Sequence, residues 1–350
     1  MTIFKKKDEE KARKTEREKV EERREEVLAR GRRFKYPLQY AKHKVVTLTI
    51  VISAFAILAA GTLVYFMLYK TQSTSDLMYH ITQILPYSVA KVDGEKVRYS
   101  DYLLIYRSSI TPIKKQGMME NGQGADEMAE YYKREALNSA EDYTYALKLA
   151  REMNLQVSNE EVDRAIEEHR KAGGVERSNE TFVRILQDNF GISLSEYRRM
   201  VYLSLISQKV SENIDETAKS TSEKIDKMIS AGKGLSEIAE SLGDKVEFGE
   251  TSGAVDKMNV DGGRATAALK LENGKTSARF ISNSGDGYYY VTLIDKTEST
   301  VNYKSIFVPF SELKNRIEEA RKNGKIEEMI EIEKNDDGND ENGENDEVKK

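Results

Sequence analysis

The sequence predicts an α+β protein: a single transmembrane helix, then a mainly helical region, then a small α/β region. Three observations carry this. Val45 to Leu68 passes 24 residues without a charge, about 36 Å of helix at about 1.5 Å per residue, enough to cross a bilayer core with some tilt. Between Ser100 and Val210 apolar residues recur at helical spacing between legible caps. Finally SNSGDGYYYVTLIDK, Ser282 to Lys296, is aromatic and β-branched in its middle, introduced by Gly285 and Gly287 and closed by a charged pair, a strand signal with clear ends.

Composition narrows the function classes. The 350 residues fit two to three units on a prior of roughly 100 to 200 residues per domain. The charged fraction is 33% and the only prolines are Pro37, Pro86, Pro112 and Pro309, so long helices meet few breakers. The absence of cysteine excludes disulfides, thiolate nucleophiles, zinc thiolate sites and a lipidated cysteine. His43, His80 and His169 match no metal-ligand spacing, so neither a metal nor a cofactor is expected.

Charge is uneven along the chain. Residues 1–44 hold 16 Lys/Arg against 9 Asp/Glu, a net +7, which leaves −12 for the rest of a chain whose total is −5. Basic residues crowd one flank of the apolar run, Arg30, Arg32, Arg33, Lys35, Lys42 and Lys44, while the other flank has Tyr65, Phe66, Tyr69 and Lys70. The positive-inside bias predicts a single-pass cell-membrane protein with a cytoplasmic N-terminus and everything after Lys70 outside. A cleaved signal peptide fits less well, because the preceding arm and the apolar run are both too long. Arg32, Arg33, Lys35, Lys42 and Lys44 are the candidate contacts to anionic headgroups, and no specific nucleic-acid partner is expected. Ala56 and Ala60 form a small-xxx-small pair that would let two spans approach as a homodimer. The arm itself reads as a solvated helix, with pairs such as Glu26 and Arg30 in the favourable i,i+4 order.

Past a polar linker, VAKVDGEKVRYSDYLL reads as a hairpin turning at Asp93-Gly94 and feeding a helix capped by Ser100. Tyr131 to Met153 carries a stripe of Ala136, Ala140, Tyr143, Leu147 and Ala150. Ser158 with Glu161 and Ser193 with Glu196 are capping boxes opening two more helices. Between them Asn179 to Phe190 repeats the pattern and stops at Gly191.

This ordered series, VAKVDGEKVRYSDYLL, LQVSNEEVDRAIEEH and FVRILQDNFGISLSEYRRMVYLSLISQKV, resembles the N-terminal chaperone domain of SurA-like proteins, a group that includes PrsA and PpiD. The resemblance covers about residues 88–215. It implies an apolar groove for polypeptide clients. Methionine and tyrosine supply adaptable, partly wettable contact surface, which makes Tyr102, Tyr106, Met118, Met119, Met128, Tyr131, Tyr197 and Met200 the candidate client-binding residues. Ordinary core accounts for most of the apolar stripes.

After Glu216 the pattern changes. EKIDKMISAGKGLSEIAESLG reads as two helices with a bend, and a Gly-rich stretch follows. ATAALKLENGKTSARFISNSGDGYYYVTLIDK then reads as a short helix, a turn at Asn273-Gly274 and two strands. The order resembles the parvulin peptidyl-prolyl isomerase fold, with Ala268, Leu271, Gly274, Ser277, Ser282, Gly287 and Tyr288 in matching places. Active parvulins carry histidine on the first strand and on the last; here tyrosine, Tyr289, stands at the second position and no histidine follows His169. Met258, Phe280 and Tyr289 are the candidate walls of a degenerate pocket, and no catalytic residue is expected.

The last segments divide two ways. The resemblance implies that a strand at Tyr303 to Val308 and an amphipathic helix through Leu313, Ile317, Ala320, Ile326, Met329 and Ile330 return to complete the helical domain. Alternatively Ser305 to Val308 is a displaced parvulin first strand with serine at the histidine position. KNDDGNDENGENDEVKK is acidic, poor in apolar residues and expected to be disordered. The resulting organisation is 1–44 charged arm, 45–69 signal anchor, 70–87 linker, 88–215 SurA-N-like domain, 216–300 degenerate parvulin-like domain, 301–334 returning strand and helix, and 335–350 tail. The expected function is an anchored, ATP-independent chaperone for unfolded or exported polypeptides. The alternatives are an anchored prolyl isomerase and a non-chaperone assembly factor working with the secretion machinery.

Overall fold

The computed structural model describes residues 16–28, 30–31, 37–118, 123–171, 175–257, 259 and 261–332, without the side chains of 37–43 and 123. The expected tail, Arg32, Arg33, Lys35, Met119, Met258 and the side chain of Lys42 therefore lie outside the described residues. The fold is mixed and mostly helical, and the chain divides into two units, Met1–Thr71 and Gln72–Lys350.

In the first unit residues 16–28 are helical and exposed. Helix α1, Pro37–Tyr69, follows. Its portion Lys44–Tyr69 is, among the described residues, the one helix long and apolar enough to cross a membrane, with a mean hydropathy of 2.3. The hydroxyls of Thr49 and Thr62 donate back to the carbonyls of Val45 and Leu58, each at 2.9 Å. These two hydroxyls are thus satisfied within the helix, as an apolar surrounding would require.

The second unit begins with α2 (Asp76–Ile84), capped by the Ser75 hydroxyl accepting from the Met78 amide. Strands β1 (Ser88–Val92) and β2 (Glu95–Arg98) form the expected hairpin. Asp93 and Gly94 have φ of 47° and 86°, the paired positive values of a tight turn that matches strand twist. Helix α3 (Tyr99–Lys115) starts at once, with Arg98 at the cap position. Ser100 is therefore inside the first turn and caps nothing; its buried hydroxyl has no partner. Helix α4 (Gln123–Glu152) begins eight residues before the apolar stripe that announces it, because its first turns are polar and carry no periodicity. Both capping boxes form: Ser158 and Glu161 open α5 (Asn159–Arg170), and Ser193 and Glu196 open α7 (Leu194–Ile214). Between them α6 (Asn179–Ile185) passes into one π turn, Leu186–Phe190, and ends at Gly191 with φ of 66°.

Beyond α7 come α8 (Glu216–Ser230) and α9 (Leu235–Leu242), then strands β3 (Glu247–Glu250) and β4 (Val255–Asp256). Helix α10 (Arg264–Leu269) precedes β5 (Phe280–Ile281), β6 (Gly287–Lys296) and β7 (Thr300–Pro309). The antiparallel order is β3-β7-β6-β5, with β4 also on β7. Because side chains alternate across a strand, β6 and β7 feed two cores. Tyr288, Tyr290, Ile306 and Val308 pack with Ile225, Leu235 and Ile238 of α8 and α9. Val291, Leu293, Val301 and Tyr303 pack with Ala265 and Ala268 of α10. Each large side chain fully buried there contributes about 1.5–3 kcal/mol.

The sheet thus runs past residue 300 to Pro309, and β7 is one of its two central strands rather than part of the helical body. The returning segment is α11 (Glu312–Lys322) followed by β8 (Ile326–Glu328). Leu313 and Ile317 join Ala146, Leu149, Ala150, Ile206 and Val210 in one core. The expected helix through Ile326 and Ile330 stops early: Gly324, at φ of 67°, breaks it, and Ile326–Glu328 pairs antiparallel with β1 instead.

Candidate functional site

The sheet leaves one end of its α10 face partly open. Tyr289 is in register with Phe307 on β7 and with Phe280 on β5. Its ring stacks on Phe307 with centroids 4.6 Å apart and 29° between planes, and lies 5.9 Å from Phe280. The Arg264 guanidinium sits 5.1 Å from the Tyr289 centroid, a cation–π arrangement. All four side chains are half-buried. Below the ring, Gly262 at φ of 72° is so close that a Cβ would lie 3.1 Å from Tyr289 Cε2.

The surroundings of this aromatic floor are rigid. Asp261 accepts from the Ala265 amide at 3.1 Å and from the Tyr303 hydroxyl, which fixes the start of α10. Ser282 donates to the Asp286 carboxylate and accepts from the Asp286 amide at 3.1 Å, closing the loop into β6. Gly287 is obligatory, since a Cβ there would come within 2.3 Å of the Val308 carbonyl and 2.5 Å of the Phe307 ring.

Burial raises the pKa of the Tyr289 phenol, against the opposing pull of Arg264, so the ring is neutral at physiological pH. Ser305, on the same face of β7, is buried and lies 3.5 Å from the Gly249 carbonyl. The arrangement offers flat apolar surface and one cation. It suits the holding of a proline or aromatic ring, and it lacks a proton-transferring imidazole among the described residues. Phe280 and Tyr289 come together as the sequence suggests. Phe307 and Arg264 complete the floor and were missed: β7, only three residues past β6, reads equally well as a strand returning to the helical body, and no local periodicity places Arg264 beside β6.

The candidates in the helical body separate. Tyr102 and Tyr106 are interior, 0% and 4% exposed. They cannot meet a client in this conformation, which corrects their assignment as contact residues: the hairpin and α4 cover their face of α3. Met118 and Tyr131 are 58% and 48% exposed. With half-buried Met128 and with Tyr132, whose ring meets that of Tyr131 edge-on at 5.4 Å, they mark the end where α3 leads into α4. Tyr197 instead serves packing. Its hydroxyl is 2.8 Å from His169 Nδ1 and its ring 5.6 Å from that of Phe182, and burial pushes its pKa up to about 12. Met200 is half-buried on α7.

A charged seam holds the returning segment. Glu141 is fully buried and accepts from Arg321 at 2.6 Å, while its second oxygen has no partner. Arg134 and Arg321 both reach Glu328, at 2.8 and 3.2 Å, and Arg134 also donates to the Ile332 carbonyl. Burial pushes the Glu141 carboxyl up to about 7 despite Arg321.

The model of the SurA-like N-terminal domain matches residues 34–211, a little over half of the chain. The chain belongs to the SurA-like N-terminal domain family. The SurA-like match includes the apolar part of α1 and ends within α7, so the five-stranded sheet lies outside it. No curated protein matches the chain. As a SurA-like chain it falls in a chaperone-type family, and this directs attention to the Met118, Met128 and Tyr131 end as an exposed apolar surface inside the matched region.

Proposed function

We propose that the protein is a membrane-anchored chaperone that holds unfolded or newly exported polypeptides without ATP, with α1 as its anchor and the second unit outside the cytoplasm. The observation that carries this reading is the SurA-like match running through the apolar helix into the helical body. The Met118, Met128 and Tyr131 surface offers adaptable apolar contact to varied clients. Segment 310–332 completes the helical body, and the basic residues before α1 face anionic headgroups.

The sheet is, on this reading, a parvulin-like domain without its histidines. Adjacency of β7 and β6 supports the displaced-first-strand interpretation, in which Ser305 and Tyr289 occupy the two histidine positions on neighbouring strands. The aromatic floor then extends the client surface by gripping ring side chains. A second reading, an anchored prolyl isomerase, draws on the same floor.

Full-length protein in detergent, added at stoichiometric amounts to a denatured client, is expected to suppress aggregation with no nucleotide present; unchanged aggregation defeats the chaperone reading. A prolyl-peptide assay on the same sample is expected at the spontaneous rate, and acceleration would favour the isomerase. The chain lacks cysteine, so Lys314→Cys labelled in intact cells by an impermeant maleimide reads the orientation. Protection from the reagent would reverse it.

A further inference from the structure

Helix α2 is apolar on two sides. One side is inside the fold: Met78, Tyr79 and Thr82 are 1–2% exposed, and Arg107 locks it by lying 4.4 Å from the Tyr79 centroid and 3.1 Å from the Asp76 carboxylate. The other side is bare. Leu77, Ile84 and Leu85 are 63%, 82% and 46% exposed. Leu77 and Ile84 are two helical turns apart and so lie one above the other. The Ser75 cap and the Leu85 amide, which donates to the Ile81 carbonyl at 2.8 Å, hold both ends. The exposed face cannot roll inward, because the opposite face is fastened.

The chain connection indicates what covers it. The span Lys44–Tyr69 has 26 residues, about 39 Å as a helix against about 30 Å of hydrocarbon, so its end reaches the headgroups. The Tyr65 and Tyr69 rings meet there at a tilt, with centroids 4.8 Å apart, and tyrosine is enriched at that level of a membrane. Seven Cα steps then separate Tyr69 from Asp76, at most about 25 Å of chain. Helix α2 therefore cannot leave the neighbourhood of the surface. It carries no Lys or Arg, its only acid, Asp76, is paired, and its exposed polar groups, His80 and Gln83, lie 3.3 Å apart beside the apolar face, where they would meet the headgroups rather than the acyl chains.

We propose that α2 is an interfacial docking helix, with Leu77, Ile84 and Leu85 seated at the headgroup–acyl boundary of the bilayer that α1 enters. This rests on the anchoring proposed above. The contact would keep the chaperone body at the membrane surface, where exported chains emerge.

Single cysteines at Ile84, Ile57 and Lys314, all strongly exposed positions, would each carry an environment-sensitive fluorophore in the full-length protein. The protein is reconstituted in phosphatidylcholine–phosphatidylglycerol vesicles with or without lipids spin-labelled high on the acyl chain. The expected result is a blue-shifted emission at position 84 that falls about twofold with spin-labelled lipid, quenching at 57, and neither effect at 314. Quenching at 57 with position 84 behaving like 314 overturns the docking helix and leaves the anchor intact. A blue shift at 84 that lipid spin labels do not quench overturns it in favour of a protein occupant, a second copy or a client. No quenching at 57 removes the anchor, and the docking inference with it.

Discussion

The helical body and the five-stranded sheet both contain tyrosine-rich surfaces, and they dispose of them differently. In the body Tyr99, Tyr102 and Tyr106 are buried beneath the hairpin and α4, and the returning segment closes over α4 through Leu313, Ile317 and the Glu141–Arg321 pair. In the sheet, Tyr288 and Tyr290 are buried against α8 and α9, but their neighbour Tyr289 is left with Phe280 and Phe307 on a face that α10 covers only at one end. One turned side chain in a strand separates core from binding floor. A tyrosine's chemistry says little about its role; the element packed over it decides.

Four changes would break or sharpen that contrast. The largest effect is expected from Gly287→Ala, because the added methyl meets backbone and ring at once; a loss of about 3 kcal/mol is expected. Hydrogen exchange should show β6 and β7 amides losing protection while α4 and α7 keep theirs, and simultaneous loss in both would deny the two regions separate stability.

Asp215→Ala tests their junction. One oxygen of this buried carboxylate accepts from the Ala218 amide at 2.8 Å, capping α8, and the other from the Ser311 and Glu312 amides at 2.7 and 3.0 Å. Removing it orphans three donors and should cost about 2 kcal/mol, seen as a lower denaturation midpoint. An unchanged midpoint would mean that the sheet and α11 are held together elsewhere.

The third test is pH. The Glu141 carboxyl is raised from 4.5 to about 7, by burial first, so the folded state binds a proton that the unfolded state releases at lower pH. That stabilising contribution is complete below about pH 4.5 and is lost as pH rises through about 7, a change on the order of 3 kcal/mol. The melting temperature should therefore decline between pH 5 and 8, and Glu141→Gln, which mimics the protonated group, should flatten that decline. A slope identical in both proteins would clear the seam of any role. The lowered carboxyls of Asp93 and Glu161, held down by Lys148 and Lys209, act only at lower pH, whereas Asp142, which burial raises to about 6, adds to the same decline, so Glu141→Gln flattens it in part and Glu141→Gln with Asp142→Asn flattens it further.

The smallest effects concern binding. Phe307→Leu removes the stacked ring and should weaken a proline- or aromatic-containing peptide by about 1 kcal/mol in a titration, leaving aggregation suppression by the body nearly intact. Met118→Ser with Tyr131→Ser should do the reverse. If both variants impair both assays equally, the floor and the α3–α4 end form one client surface rather than two.

Much of the local structure was legible. Asp93-Gly94, Ser158 with Glu161, Ser193 with Glu196, and Gly191 each act within a few residues, so their turns, caps and stops follow from covalent chemistry and nearest hydrogen bonds. Ser100 misled because Arg98 ends the strand one step earlier than a cap at 100 requires. Ile326 and Ile330 misled because apolar spacing alone does not separate a short strand from another helical turn, and the free edge of β1 took the segment. Client-contact residues were the least legible, since Tyr102 and Tyr131 are alike in sequence and opposite in exposure.

By itself the sequence determined the apolar span, the basic flank before it, the order of capped helices and the glycine-bounded strand at Tyr288 to Ile294, all consequences of side chains acting on their own neighbourhood. Tertiary structure alone decided that β7 lies between β6 and β3, that 325–332 returns to β1 and Arg134, and that Tyr289 is left half-buried between two buried tyrosines. Those outcomes depend on which distant element reaches a surface first and fits it, and pairing across 200 residues leaves no mark within any short stretch of chain.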